Sequence, residues 1–352
     1  MTIRVFYHNQ DLDGYCSGAI VKYRFPEAVM YPINYGDEFP WGEIAEDDEV
    51  FMVDFCLQPE HQMLKLYEVL RSDEEKEHDR DGNLCWIDHH VSAIKAMEDI
   101  GCYPYGRTGV SKAACELTWE YLFPNRPVPL AVKLLSLYDS WTYHGHELED
   151  MVLPFQMRMR MEDLDPKDWD SSGKWWYSFF YISHLEYSWV GKSMTNFIEE
   201  GRLLLRYDEA NKAKYVKTYA FETILQVPKP EDKTLKVRPE YSAIAVNLGD
   251  TDSKVFDSVW RRKCYCEGEP VLSVRSDTRE SKMEPCPVCK GTGYIEPYDL
   301  MIPFVRRPDK LWDVSLYSTK PDVDCGAIAK SFGGGGHLGA AGFQRKELPF
   351  EY

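Results

Sequence analysis

Three times in the first ninety residues, an apolar run of strand length ends on an acid or an imidazole. Ile3–Tyr7 leads into His8-Asn9-Gln10-Asp11-Leu12-Asp13-Gly14 and then into helix-forming sequence, Tyr15–Phe25. Val50-Phe51-Met52-Val53 ends on Asp54, and Leu84–Ile87, carrying Trp86 and Ile87, ends on Asp88-His89-His90. Strand, polar exit and helix repeated in this way specify a parallel sheet with crossover helices, because parallel neighbours cannot be joined by a tight turn. Such a sheet gathers its chemistry at the carboxyl ends of its strands. One pattern thus sets the α/β class and sends acids and imidazoles to one edge.

The rest of the first half fits that plan. Ala28–Ile33 reads as a further strand, and a helix starting near Pro59 runs to about Arg71. The charged run Ser72–Gly82 reads as a solvated loop. Val110–Phe123 is a helical pattern stopped by Pro124, and Pro127–Tyr138 is another, ending at Asp139-Ser140-Trp141. An acid at a helix C-terminus faces the negative end of the dipole, which a nearby cation would offset. Trp169–Trp189 is dense in aromatics, including Trp175, Trp176, Tyr177, Phe179, Phe180, Tyr181 and Tyr187. Core or interdomain packing is their commoner use, and a base-stacking platform the other.

Lys192–Tyr219 is a long charged helix with Gly201 inside it. With 352 residues, enough for two domains, it serves as a connector. The expected organisation is a first domain over 1–190, a connecting helix over 191–219 and a smaller α/β domain over 220–352. Strands are expected at Phe221–Val227, Tyr241–Asn247, Tyr298–Val305 and Trp312–Tyr317, with helices at Val255–Trp260 and Asp324–Ser331.

Candidate chemistry falls in three places. His8, Asp11 and Asp13 can converge on one cation, although a polar βα loop with an aspartate near the N-cap explains the same residues. Asp88-His89-His90 offers the carboxylate and imidazole donors that suit a divalent transition metal. Cys264-Tyr265-Cys266 and Cys286-Pro287-Val288-Cys289 are close thiolate pairs of the kind that build a tetrahedral zinc site, free thiols being the alternative. The second pair, with Gly291 and Gly293 behind it, resembles a zinc-ribbon knuckle or the cysteine-rich repeat of DnaJ-type chaperones. Four thiolates leave no open position, so this zinc would be structural. Finally, Gly333-Gly334-Gly335-Gly336-His337-Leu338-Gly339-Ala340-Ala341-Gly342 lets backbone N–H groups approach an anion, with His337 able to donate to phosphate.

Composition narrows the partners. A net charge of −17, from 58 acidic and 41 basic residues, disfavours a long grip on duplex DNA, which needs many cationic contacts. No stretch has the length and apolarity of a membrane span. Met1-Thr2-Ile3-Arg4 enters a strand without a signal-peptide pattern, and the ten cysteines do not form a disulfide framework. These features point to a reducing, cytoplasmic setting.

Taken together, the motifs resemble those of the DHH superfamily of phosphoesterases. The four N-terminal motifs occur in order as His8 to Gly14, Asp54, Asp88-His89-His90 and Asp139. The glycine-His segment looks like the signature of that family's associated C-terminal domain, and residues 261–297 look like a cysteine-bearing insertion into it. The resemblance implies two manganese-type ions, with magnesium, iron or zinc as substitutes. His8, Asp11 and Asp54 would hold one; Asp13, Asp54, His89 and Asp139 would hold the other, so that Asp54 bridges. Asp88 would orient an imidazole, and His90 would face the substrate phosphate. Gly334, Gly335, Gly336 and His337 would contact substrate, and the second domain would close over the cleft. Two features depart from many relatives. The spacing His-x-x-Asp is closer to the oligoribonuclease-like and cyclic-nucleotide phosphodiesterase-like branches. Ser315-Leu316-Tyr317-Ser318 replaces Ser-Leu-Arg-Ser, losing a bidentate phosphate clamp while Tyr317 could stack on a base.

The implied activity is two-metal hydrolysis of short oligonucleotides or of linear or cyclic dinucleotides. A RecJ-like exonuclease on single strands is the second reading, and a non-catalytic nucleotide-binding scaffold the third. An inorganic pyrophosphatase fits less well. The oligomeric state is open, a homodimer included.

Overall fold

The computed structural model describes residues 1–71, 83–181, 194–229, 235–249, 251, 253–274 and 281–352. The charged run 72–82, Tyr187, Trp189, the start of the connecting helix at 192–193 and the 275–280 stretch between the cysteine pairs lie outside the described residues.

The chain divides into two compact units, Met1–Arg206 and Tyr207–Tyr352. The first is built on a parallel sheet of five strands: β1 Ile3–His8, β2 Val29–Ile33, β3 Glu49–Val53, β4 Leu84–Asp88 and β5 Tyr105–Thr108. Their order is β2-β1-β3-β4-β5. The chain therefore moves outward from β1 to β2, then crosses back to place β3 on the other side of β1. In an open sheet of this order the β1/β3 crevice is the topological switch point, where ligands bind. His8 ends β1 and Asp54 follows β3.

The central strands are apolar on both faces, as parallel strands covered by helices must be. Phe6, Val50, Met52 and Trp86 pack with Met63, Leu66 and Met97 on one face. Val5, Tyr7, Phe51, Val53, Cys85 and Ile87 pack with Val21 and Leu117 on the other. The covering helices include α1 Leu12–Arg24, α2 His61–Val69, α3 Val91–Asp99 and α4 Ala114–Leu122. They are followed by α5 Leu130–Asp139, α6 Glu149–Met159 and α7 Trp169–Tyr181. Trp119, Phe155, Trp176, Phe179 and Phe180 share one core, so the described part of the aromatic stretch is mainly packing.

Two elements depart from expectation. The helix expected from Val110 begins at Ala114, because the Asp13 carboxylate accepts the N–H groups of Ala114 and Cys115 and fixes the start there. The expected helix at Val255–Trp260 is instead a 3-10 turn, Ser253–Phe256, with the chain turning on to Trp260 through a bond from its N–H to Phe256 O.

The long helix α8 Met194–Tyr219 spans the division between units. Within the first unit its Gly201 lies against Pro154: a Cβ there would sit 1.9 Å from the Pro154 carbonyl oxygen. The second unit is a six-stranded mixed sheet. Its strands are β6 Phe221–Gln226, β7 Glu240–Asn247, β12 Leu300–Arg306, β13 Trp312–Tyr317, β14 Gly335–Gly336 and β15 Ala340–Arg345. Helix α9 Cys325–Ser331 precedes β14 and is capped by Asp324, which accepts from Ala327 N at 2.9 Å. Between β7 and β12 lie two short ladders, β8 Arg262–Lys263 with β11 Tyr294–Ile295, and β9 Val271–Val274 with β10 Ser281–Glu284.

Candidate metal centre

The exits of β1, β3 and β4, together with α1 and the end of α5, bring six predicted residues together in the first unit. His8 Nδ1 lies 3.3 Å from Asp11 Oδ2 and 3.7 Å from Asp54 Oδ2. His89 Nε2 lies 3.6 Å from Asp13 Oδ2, 3.5 Å from Asp54 Oδ1 and 3.1 Å from Asp139 Oδ2. Three groups of donor atoms result, His8/Asp11/Asp54, Asp13/His89/Asp139 and Asp54/His89/His90; Asp54 Oδ2 faces His8, and its Oδ1 faces His89 and, at 3.8 Å, His90 Nδ1.

Asp54 supplies the fit test for an ion. Its side chain is 1% exposed, and among the described residues neither oxygen has a hydrogen-bond partner. Its backbone is left-handed, with φ 55°. A buried carboxylate without partners costs on the order of 1–3 kcal/mol or more, and strained backbone concentrates where structure serves function. Donor atoms that each sit about 2.1 Å from a shared ion lie roughly 3–3.5 Å from one another. The spacings around Asp54 are near that range, and too long for hydrogen bonds. The donor set, carboxylates with imidazoles, suits manganese-type ions.

Three of the neighbouring carboxylates are held by backbone. Asp11 is the N-cap of α1 and accepts from Gly14 N at 2.9 Å; the helix-capping reading and the cation reading of this loop therefore coexist. Asp13 is 3% exposed and spends its oxygens on Ala114 N and Cys115 N, each at 2.9 Å. Asp88 Oδ1 accepts from His89 N at 2.7 Å and His90 N at 3.0 Å, and meets His90 Nδ1 at 2.7 Å. Fixing Nδ1 on Asp88 turns the other nitrogen of His90 away from it.

The electrostatics follow from crowding. Burial, then the charges of Asp54 and Asp139, pushes the Asp13 carboxyl well above the usual range. Burial would lower the His8 imidazole, but Asp11 and Asp54 outweigh it and hold it up at about 10. Burial alone would raise Asp54; the imidazoles of His8 and His89 bring it below its usual value. Positive charge is thus favoured at this centre, as a proton or as a metal ion.

Sequence reasoning missed Tyr35, just beyond the exit of β2. Its ring lies 5.7 Å from that of His8 and 4.8 Å from Phe55. Burial and the charge of Asp88, Asp54 and Asp11 push its hydroxyl up to about 12. Its position at the mouth of a strand next to β1 was the available signal.

In the second unit, Gly335–Gly336 forms strand β14 against Ala341 and Gly342 of β15. His337 is exposed, and its N–H donates to Ala340 O at 2.7 Å. Tyr317 ends β13 opposite Ala340, with its hydroxyl 3.5 Å from Thr251 O. A Cβ at Gly334 would sit 2.1 Å from Gly342 O, whereas one at Gly335 would meet nothing within 4 Å.

The four predicted cysteines also converge. Cys264 and Cys286 sulfurs are 3.7 Å apart, and Cys266 and Cys289 sulfurs 3.2 Å. A tetrahedral site with zinc–sulfur bonds of about 2.3 Å places sulfurs roughly 3.8 Å apart, and a disulfide would need about 2.05 Å. The Tyr265 hydroxyl and the backbone N–H of Cys289 hold the Cys286 thiol down at about 6.

No model of a known protein family matches the chain. "Uncharacterized protein R106" of Acanthamoeba polyphaga mimivirus is 23% identical over 381 residues, covering 99% of this chain and 69% of that protein. Among solved structures, the pGpG-specific phosphodiesterase PggH of Vibrio cholerae aligns over 98% of this chain and 93% of its own, with 10% identity and a TM-score of 0.44. RecJ of Thermus thermophilus in complex with Mn2+ aligns over 97% of this chain and 49% of its own, with 13% identity and a TM-score of 0.35. Among the described residues, no helix is long and apolar enough to cross a membrane.

Proposed function

We propose that this protein is a metal-dependent phosphodiesterase of the DHH type that hydrolyses short oligonucleotides or linear or cyclic dinucleotides. The observation that carries the proposal is Asp54, a buried carboxylate with no hydrogen-bond partner among the described residues, between two clusters of aspartate and histidine. His8, Asp11 and Asp54 would hold one manganese-type ion; Asp13, Asp54, His89 and Asp139 the other. When bound, such a pair supplies a water of lowered pKa and electrostatic stabilisation of an in-line displacement at phosphorus.

The chain's own residues do the remaining work. Asp88 holds His90 by Nδ1 and raises its pKa, so the imidazolium can donate its other N–H to a phosphate oxygen. Backbone N–H bonds to Asp11 and Asp13 fix two carboxylates before any ligand arrives, which limits the reorganisation required during reaction. In the second unit, the space beside Gly335 where a side chain would stand is open and would admit an anion, with His337 and Tyr317 nearby in the strand register. The Cys264, Cys266, Cys286 and Cys289 group is read as a structural zinc site.

A panel in Mn2+ tests this: di- to pentanucleotides, cyclic dinucleotides, cyclic mononucleotides, pyrophosphate and long single strands. The basic pairs Arg158/Arg160, Arg261/Arg262 and Arg306/Arg307 are short and separate, so a long strand lacks successive phosphate partners. The highest kcat/KM is expected for two to about five nucleotides, the number whose phosphates one pocket encloses. Equal kcat/KM for a long strand at physiological salt favours the RecJ-like reading; no turnover of any diester sinks the hydrolytic one.

A further inference from the structure

Helix α5 ends at Asp139, and the next residues close it in a Schellman motif. Thr142 N–H donates to Leu137 O and Trp141 N–H donates to Tyr138 O, each at 3.1 Å. This motif puts its C′ residue in the left-handed region and usually places glycine there. Here the residue is Trp141, with φ 55°. A bulky side chain at positive φ is a true outlier, and this one is not repaid by burial, because Trp141 is 65% exposed.

The ring is nevertheless held. It lies 6.5 Å from Tyr138 at an interplanar angle of 24°, and 6.3 Å from the buried Tyr143. Arg160 donates to the Tyr138 hydroxyl at 3.2 Å. A strained backbone, a supported ring and an open face are unfavourable or idle for folding, and together they suit a ligand with a flat face. Asp139 places the feature. Two Cα–Cα steps of about 3.8 Å keep the Trp141 Cα within about 7.6 Å of that of Asp139, whose Oδ2 is 3.1 Å from His89.

We propose that Trp141 is a base-stacking residue, receiving the nucleobase that flanks the scissile phosphate on the Asp139 side of the centre. This rests on the phosphodiesterase reading and adds a substrate class to it: diesters carrying a base on that side, as opposed to pyrophosphate or polyphosphate. The ring touches only the base, so its effect falls on binding.

The test uses the full chain in Mn2+ with two substrates of equal charge, a diadenylate and the same diester with tetrahydrofuran units in place of both nucleosides. Trp141→Gly suits the left-handed backbone and is expected to fold with an unchanged or higher Tm. Its preference for diadenylate over the abasic diester, as the ratio of kcat/KM values, should fall about 5- to 150-fold, the range of one base–aromatic stack. The loss should lie in KM, and Trp141→Phe should recover most of it. By NMR, the indole N–H signal missing from Trp141→Phe should shift when diadenylate is added to wild type with diamagnetic Ca2+ in place of Mn2+. An unchanged ratio in Trp141→Gly, or an indole signal that nucleotide does not move, overturns the proposal. If wild type hydrolyses neither diester, the hydrolytic reading fails by itself, and the indole signal still decides for or against Trp141.

Discussion

Replacing Asp54 by glycine separates the two-ion reading from any account in which this cluster is a polar knot. The substitution removes both oxygens and suits φ 55°. Bound at a hundred times its Kd, one ion stabilises the fold by about 2.7 kcal/mol. For a unit of 206 residues, each kcal/mol moves Tm by about 2–4 °C. One ion is therefore worth about 5–11 °C and two independent ions about twice that. Asp54 Oδ2 faces His8 and Oδ1 faces His89, so Asp54→Gly should lose the whole manganese shift. Asp11→Ala touches only the His8 cluster and Asp139→Ala only the His89 cluster, so each should keep about half. In chelator, Asp54→Gly sheds an orphaned charge but also its attraction to the imidazoles; these oppose, and Tm should change by only a few degrees. Differential scanning fluorimetry with and without Mn2+ reads all of this, with metal content by mass spectrometry as the check. The reasoning fails if Asp54→Gly retains more than half of the wild-type shift, or if Asp11→Ala alone abolishes it.

The sign of the pH dependence follows from His8. Its pKa without metal is raised to about 10 from an ordinary 6.5, so its protonated form stabilises the metal-free fold fully below about 6.5. That contribution is lost as pH rises through about 10. An ion must displace this proton, so the manganese shift should be larger at pH 9 than at pH 6.5.

Two further outcomes are expected. Native mass spectrometry should find one zinc per chain, lost in Cys286→Ser with little change in the manganese shift; absence of zinc with all four thiols freely alkylated would remove the zinc site. Gly334→Val should lower the Tm of the second unit, because its side chain would collide with Gly342 O, whereas Gly335→Val and His337→Ala should leave Tm in place and raise KM for nucleotides. Unchanged kinetics in both of these would reduce the segment to a structural turn.

What could be read in the sequence was what burial imposes on both faces of a strand. β1, β3 and β4 are continuous apolar runs because helices cover them on each side. Strand β5, Tyr105-Gly106-Arg107-Thr108, carries no such run because it is the exposed edge of the sheet. Helix α6 is hidden by Pro154, which breaks the pattern that normally announces a helix. Within the site, metal-type residues at strand exits are conspicuous by chemistry alone, and the dipole argument marks Asp139. Trp141 was not legible as a site residue, and Tyr35 only through its place just beyond a strand next to β1. Aromatics are common, and what distinguishes Tyr35 is that its ring lies 5.7 Å from that of His8. For Trp141 it is a left-handed backbone that only coordinates reveal.

The same geometry argues for two ions rather than one by charge balance. Asp88 is matched by His90 through a 2.7 Å contact. That leaves Asp11, Asp13, Asp54 and Asp139, four carboxylates around two imidazoles. With no cation, burial and mutual repulsion raise the Asp13 and Asp139 carboxyls, and the neighbouring carboxylates raise the His8 imidazole, so all three hold protons more readily. One divalent ion would leave two negative charges facing the proposed phosphodiester, in a protein that already carries −17. Two would cancel the four carboxylates and let His90 add a positive charge toward an approaching anion. Under this reading Asp54 stays buried without a hydrogen bond because it lies where two clusters must share one carboxylate, and any protein donor placed there would exclude an ion.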